Sequence, residues 1–169
     1  MPAPTLATYG GLELAPLYAG QVAEAGPNII KTGVNSSATA IDFGVAVCRG
    51  TAVAAGAVLN IKPQGLDADV ICGISVRNAA PLIASNDGVN TINYPRYHDV
   101  PFMTMGAIGA TAFENVVAGD GVIAVTAQGG KLSGTTAGAA GTGRVAVPGA
   151  IWETTTLAGA VGMIRIVTP

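Results

Sequence analysis

Hydrophobic residues occur in short runs that glycine, asparagine, aspartate and proline separate. The apolar positions show almost no helical spacing, and glycine, which costs about 1 kcal/mol in a helix interior relative to alanine, interrupts them repeatedly. Short apolar runs bounded by turn residues are typical of an all-β sandwich or barrel. This pattern predicts strands near 40–48, 56–61, 69–76, 101–108, 110–117, 121–127, 143–147 and 161–167.

The run AIDFGVAVC at 40–48 alternates in side-chain size. Phe43, Val45 and Val47 would share one face of an extended strand, whereas small residues occupy the positions between them. Such a small face suits the close approach of another sheet or another chain. The run is therefore predicted to be a strand whose small face packs closely against another sheet or chain.

Turn-forming sequences separate the predicted strands. AGDG at 118–121 and QGGK at 128–131 place glycine where a turn needs a positive φ. The Gly, Thr and Ala residues of 134–143 have little to bury, which predicts a flexible loop. With no shift in composition, residues 39–169 are predicted to form one small, jelly-roll-like β-sandwich or barrel domain.

Residues 1–38 differ from the rest of the chain. They contain four prolines and a Gly-Gly pair, and their side chains do not alternate between apolar and polar. The segment is nevertheless apolar enough that its side chains need to pack against another surface. We interpret it as an extended N-terminal arm that lies across a partner, with a poorly ordered terminus as the alternative.

Charge excludes several classes of partner. Eight Lys and Arg residues face ten Asp and Glu residues, so the net charge is −2, and charged residues make up 11% of the chain. No basic cluster indicates nucleic-acid binding. The longest stretch without a charged residue, 100–113, is shorter than the roughly twenty residues of a membrane span. A surface this poor in charge favours an oligomer or an assembly in which neighbours cover it.

The segment NYPRYHDVP at 93–101 holds the only histidine of the chain. In an extended chain His98 and Asp99 would point to opposite faces, so they do not form an acid–base pair. One histidine and two cysteines without CxxC spacing do not make a zinc site. We predict neither catalytic residues nor a metal or cofactor, and we interpret the segment as an exposed or interfacial loop. Tyr and Arg are enriched at binding hot spots, which favours partner contacts there.

Two further residue types need an interpretation. A disulfide between Cys48 and Cys72 is one alternative for the two cysteines. Nothing in the sequence indicates an oxidising compartment, so two buried free thiols are favoured. Trp152, in the sequence GAIWE, is predicted to anchor a core or an interface, since a single tryptophan is no ligand signature. Neither feature indicates a reaction.

Several segments, taken in order, carry a resemblance to a known family. They are AGQVAEAGPNII at 19–30, FGVAV at 43–47 followed by RGT, CGISV at 72–76, VAGDGV at 117–122, and GAIWET at 149–154 with the closing hydrophobic strand. In this order they resemble the structural cement, or head decoration, proteins of tailed bacteriophages. The resemblance covers residues 19–167.

The resemblance implies a non-enzymatic virion protein, made in the bacterial host cytoplasm and located on the outer capsid surface. There it would bind the major capsid protein and cement neighbouring capsomers against internal DNA pressure. It also implies a homo-oligomer, a dimer or trimer at local symmetry axes. The alternative is a receptor- or carbohydrate-binding module of a virion fibre or tail, which would need an exposed aromatic platform.

Partner contacts are predicted from the aromatic and apolar residues of the arm and from the tyrosines and arginine of the 93–101 segment. These candidate interface residues are Tyr9, Leu12, Leu14, Leu17, Tyr18, Pro27, Asn28, Ile29, Ile30, Tyr94, Arg96 and Tyr97.

Overall fold

The computed structural model describes residues 8–9, 12–13, 17–23, 27–50, 59–77 and 93–167. These residues form thirteen β-strands, one 3₁₀ turn at Thr126–Gln128 and no α-helix, which confirms the predicted all-β class. The strands are β1 (Thr8–Tyr9), β2 (Leu12–Glu13), β3 (Ile29–Asn35), β4 (Ile41–Asp42), β5 (Ala46–Arg49), β6 (Asn60–Pro63), β7 (Ile71–Ser75), β8 (Asn93–Tyr94), β9 (Asp99–Thr111), β10 (Gly121–Val125), β11 (Lys131–Gly134), β12 (Arg144–Trp152) and β13 (Val161–Ile166).

Five strands close a barrel, which we call the first ring. Its order is β9-β3-β6-β5-β7, and β7 pairs again with β9. Neighbouring strands are antiparallel except for β3 and β6, which are parallel. Closure leaves this part of the sheet without a free edge, and it confirms the barrel form of the predicted domain.

The other long strands form a second ring on the same β9. Strand β13 pairs with residues 106–111 of β9, and β12, β10 and β11 follow in order. Ala112, directly after β9, then bridges Leu132 of β11, and the Phe113 amide donates to the Leu132 carbonyl at 2.7 Å. The two rings therefore share one long strand.

Residues 17–23, which belong to the predicted arm, pair with the barrel of their own chain. The Gly20 amide donates to the Gly109 carbonyl at 2.8 Å, and the Ala23 amide donates to the Ala107 carbonyl at 2.9 Å. Strand β3 also precedes residue 38, so the sheet begins before the predicted domain boundary. Contacts of the arm with a partner stay a prediction.

Each ring has its own buried cluster. Val100 and Phe102 point into the first ring, whereas Met103, one residue further along β9, packs against the second cluster. Ala46 joins Met103 there, so the small face predicted for 40–48 does pack closely against another part of the sheet. Trp152 is the largest fully buried side chain of the second cluster, and its indole N–H donates to the Ser133 carbonyl at 2.9 Å.

Several predicted strand limits are wrong. Strand β12 continues to Trp152 instead of ending at 147, and β6 extends to Pro63 beyond the predicted 61. No strand was predicted at β3 or β11, and residues 56–58 lie outside the described residues.

Glycine explains two further differences. The predicted strand 40–48 divides into β4 and β5 because Gly44 turns the chain at φ 69°. The predicted strands 101–108 and 110–117 are instead one strand, β9, which continues through Gly109 and ends at Thr111, so 112–117 is not part of a strand. Gly109 pairs with Met163. Glycine is needed there because a side chain would collide with the Tyr18 carbonyl and the Leu17 side chain.

The segment 134–143, predicted to be a flexible loop, is anchored at both ends. The Thr136 hydroxyl donates to the Asp120 carboxylate at 2.5 Å, and Thr135 donates to the same carboxylate at 3.2 Å. At the other end the Gly143 amide donates to Asp67 at 3.0 Å. Side-chain acceptors thus hold a segment that has few apolar residues of its own.

Asp120 gives the fold a dependence on pH. Burial alone would raise the pKa of Asp120, but hydrogen bonds from Thr136, Val117 and Thr135 outweigh burial and hold the pKa below its usual value. A carboxyl with a lowered folded-state pKa stabilises above its unfolded value of about 3.9 and loses that contribution as the pH falls further.

We expect Asp120→Asn to lower the free energy of unfolding by about 2 kcal/mol at pH 7 and by much less at pH 2, because the wild type has then lost the same charge. Urea unfolding at both pH values measures this difference. Asp42→Asn changes an exposed carboxylate and is the matched control. An equal loss at both pH values would contradict the assignment.

Candidate interaction surface

The turn at 94–99 is held rigidly against the first ring. The side-chain amide of the buried Asn35 donates to the Tyr94 carbonyl at 3.0 Å and to the Thr39 carbonyl at 2.9 Å. The Tyr97 amide donates back to the Asn35 carbonyl at 2.8 Å. Tyr94 itself is buried, and its hydroxyl donates to the Val76 carbonyl at 2.6 Å. Tyr94 therefore positions the turn, and its neighbours form the outer surface.

Arg96, Tyr97 and Asp99 are the exposed residues of this turn. Tyr97 is 71% exposed, and the Arg96 guanidinium lies 4.6 Å from its ring centroid. Tyr97 is also the only described non-glycine residue with positive φ, at 67°, a conformation that costs free energy for a bulky side chain. The fold thus holds an aromatic and cationic pair outward in a fixed position.

A second aromatic group connects the arm to this turn. The Arg77 guanidinium lies 5.4 Å from the Tyr18 ring centroid and 5.8 Å from the Phe43 ring centroid. Phe43 in turn meets the Tyr94 ring edge-on at 5.0 Å. The sequence-predicted residues Tyr18 and Tyr94 are therefore brought together, and Arg77 and Phe43, which the sequence reasoning missed, are the link between them.

Pro27, Asn28, Ile29 and Ile30 lie at the other end of β3. Ile29 and Ile30 are both exposed, and Pro27 and Asn28 line a groove of about 190 Å³ with Met105 of β9. Six residue steps of about 3.3 Å separate Ile29 from Asn35, so this patch lies roughly 20 Å from the 94–99 turn. The predicted interface residues thus form two separate surfaces.

The remaining predicted contact residues belong to the start of the chain. Leu17 is partly buried beside Gly109. Tyr9 and Leu12 pair in the short ladder of β1 and β2. Leu14 lies outside the described residues.

The chemistry-bearing residues serve the fold. His98 is half-buried, and its carbonyl accepts a hydrogen bond from the backbone amide of Asn35 at 3.0 Å. Cys48 and Cys72 are both free thiols, and burial raises the pKa of Cys48 to about 12. Within the described residues no three His, Cys, Asp or Glu side chains are grouped to hold a metal ion. The same part of the chain contains no helix with the length and hydropathy of a membrane span.

Residues 6–167 match the model of the protein family described as "Structural cement protein (E217 gp24/Pam3 gp6)". The chain belongs to the structural cement protein family. This confirms the resemblance seen in the sequence, and membership in the cement protein family supports a structural role.

The fold of this cement protein also occurs in a solved structure. A chain of the structure described as "The capsid of Myoviridae Phage XM1" superimposes with a TM-score of 0.60 over 97% of both chains, at 22% sequence identity. At this identity the similarity shows a common fold. No curated protein sequence matches the chain.

Proposed function

We propose that this cement protein binds the outer surface of the major capsid protein lattice and holds neighbouring capsomers together against internal DNA pressure. The family match over residues 6–167 is the observation that carries the proposal. The protein would be made in the host cytoplasm and would act on the virion surface as a dimer or trimer at local symmetry axes.

The separation of the two exposed surfaces supports bridging. The Arg96–Tyr97 pair and the Ile29–Ile30 patch lie at opposite ends of the first ring, roughly 20 Å apart. Each surface is small, and a small contact alone binds weakly. Two such contacts on one rigid body act together through a high effective concentration, so separating two capsomers would require both contacts to break.

Mixing the purified protein with expanded, undecorated capsids tests the proposal. We expect saturable, stoichiometric binding in co-sedimentation and greater resistance of the decorated capsids to heat or to removal of divalent ions. The same preparation on a glycan array tests the receptor-binding alternative. Glycan binding without capsid binding would contradict the cement function.

We expect Tyr97→Ala to weaken capsid binding by about tenfold or more, because the exposed Arg96–Tyr97 pair has the composition of a binding hot spot. Folding should change little, since Tyr97 covers none of the buried clusters. Leu157→Ala removes another large side chain that is also 71% exposed, on the second ring, and is the matched control. Equal effects of the two substitutions would refute a specific role for this turn.

A further inference from the structure

The first ring has an open end with a cationic lining. A cavity of about 310 Å³ opens there, and it is lined by Lys31, Arg49, Leu59, Val70, Cys72, Phe102 and Thr104. Lys31 alternates along β3 with the buried Gly33 and Asn35, and Arg49 alternates along β5 with the buried Val47. Both cations therefore lie on the inner side of the barrel wall, where it meets solvent.

Within the part of the chain that the structure describes, Lys31 and Arg49 differ from the other six cations in their partners. Of the eight lysines and arginines, three form ion pairs with carboxylates and three lie over aromatic rings. Within the described residues Lys31 and Arg49 have neither kind of partner, and no Asp or Glu is among the cavity-lining residues. The ion-paired cations are Lys62, Arg144 and Arg165, and the ring-contacting cations are Arg77, Arg96 and Lys131.

Lys31 and Arg49 both place positive charge near the same cavity. Burial raises the pKa of the Cys72 thiol, and the positive charges of Arg49 and Lys31 oppose that increase, so both charges lie close to this cavity-lining sulfur. Apolar side chains, Leu59 and Phe102, also line the cavity, and Phe102 is the direct cross-strand partner of Lys31. Two cations without a carboxylate partner among the described residues, next to apolar side chains, complement a carboxylate that is next to an apolar side chain.

We propose that this open end of the first ring receives an acidic segment of the major capsid protein, with a carboxylate between Lys31 and Arg49 and a neighbouring apolar side chain against Phe102 and Leu59. This inference rests on the proposed cement function. The exposed Ile29 lies two residues from Lys31 on β3, so the cavity and the Ile29–Ile30 patch together form one docking surface.

Charge reversal tests the inference on expanded, undecorated capsids. We expect Lys31→Glu and Arg49→Glu each to weaken binding at least about tenfold, and Arg49→Lys to retain most of it. Lys131→Glu makes the same change of charge at an exposed lysine on the second ring and should bind like the wild type. Circular dichroism melting curves establish that each variant is folded.

Alkylation of Cys72 provides a test without any substitution of the cations. Cys48 is fully buried, so iodoacetamide should react first at the half-buried Cys72 and fill the cavity. We expect the modified protein to bind capsids at least about tenfold more weakly, and a Cys72→Ser variant treated in the same way to be unaffected.

The possible outcomes separate the two proposals. Wild-type binding by both charge-reversal variants and by the alkylated protein would overturn the cavity as a docking site and leave the cement function standing. A wild-type protein that does not bind capsids would overturn both. If Arg49→Glu instead alters the oligomeric state of the free protein and leaves capsid affinity unchanged, the acidic segment belongs to a second copy of this chain, and the inference is wrong.

Discussion

Replacing Trp152 with alanine is expected to lower the free energy of unfolding by about 4 kcal/mol. The side chain is fully buried in the second cluster, so its removal leaves a cavity where apolar contacts were. It also leaves the Ser133 carbonyl, buried in β11, without its indole donor. Equilibrium unfolding in urea, followed by circular dichroism, measures the loss.

Ile151→Ala is the matched control, because Ile151 is adjacent on β12 and points to solvent. We expect it to cost less than about 1 kcal/mol. Trp152→Phe keeps an aromatic ring and loses only the N–H donor, so its cost should be intermediate. If Trp152→Ala cost no more than Ile151→Ala, the second cluster would not be a core.

The second large effect is expected at Gly73, where a methyl group should open the first ring. A Cβ on Gly73 would lie closer than 3.0 Å to the Met103 carbonyl oxygen, and it would also contact the Phe102 ring. Strands β7 and β9 meet there and close the barrel. We expect Gly73→Ala to cost about 3 kcal/mol, since backbone on β9 can yield only by separating the two strands.

Amide hydrogen exchange tests whether Gly73→Ala weakens the pairing of β7 with β9. The Val76 amide, which donates to the Pro101 carbonyl at 2.8 Å across the closing seam, should exchange faster in Gly73→Ala than in the wild type. Gly65→Ala is the control, because a Cβ there meets nothing within 4 Å. Unchanged protection at Val76 would contradict the steric account of closure.

Local features of the sequence were sufficient to predict many of the strands and turns of the sheet. The AGDG turn ends where β10 begins, and Gly129 and Gly130 take the positive φ expected of the QGGK turn. Strand β3 was missed because IIKTGVN does not alternate: its first four residues are exposed at the open end of the barrel. The pairing of β7 with β9, which closes the ring, joins residues far apart in sequence and leaves no local signal.

The interaction surface was only partly predictable for the same reason. Arg96 and Tyr97 are neighbours of a type common at interfaces, so residue type alone indicated them. Arg77 and Phe43 contribute through ring contacts between distant strands, which no spacing reveals. Lys31 and Arg49 are ordinary surface cations in the sequence, and only the closed ring places them on one cavity.

Because β9 belongs to both rings, the two rings should unfold together. The first half of β9 covers one cluster and the second half covers the other, so neither ring keeps a complete wall if β9 detaches. Two cores in one chain would ordinarily melt as separate steps. Here heat should produce one cooperative transition, and damage to either half should lower the melting temperature of the entire molecule.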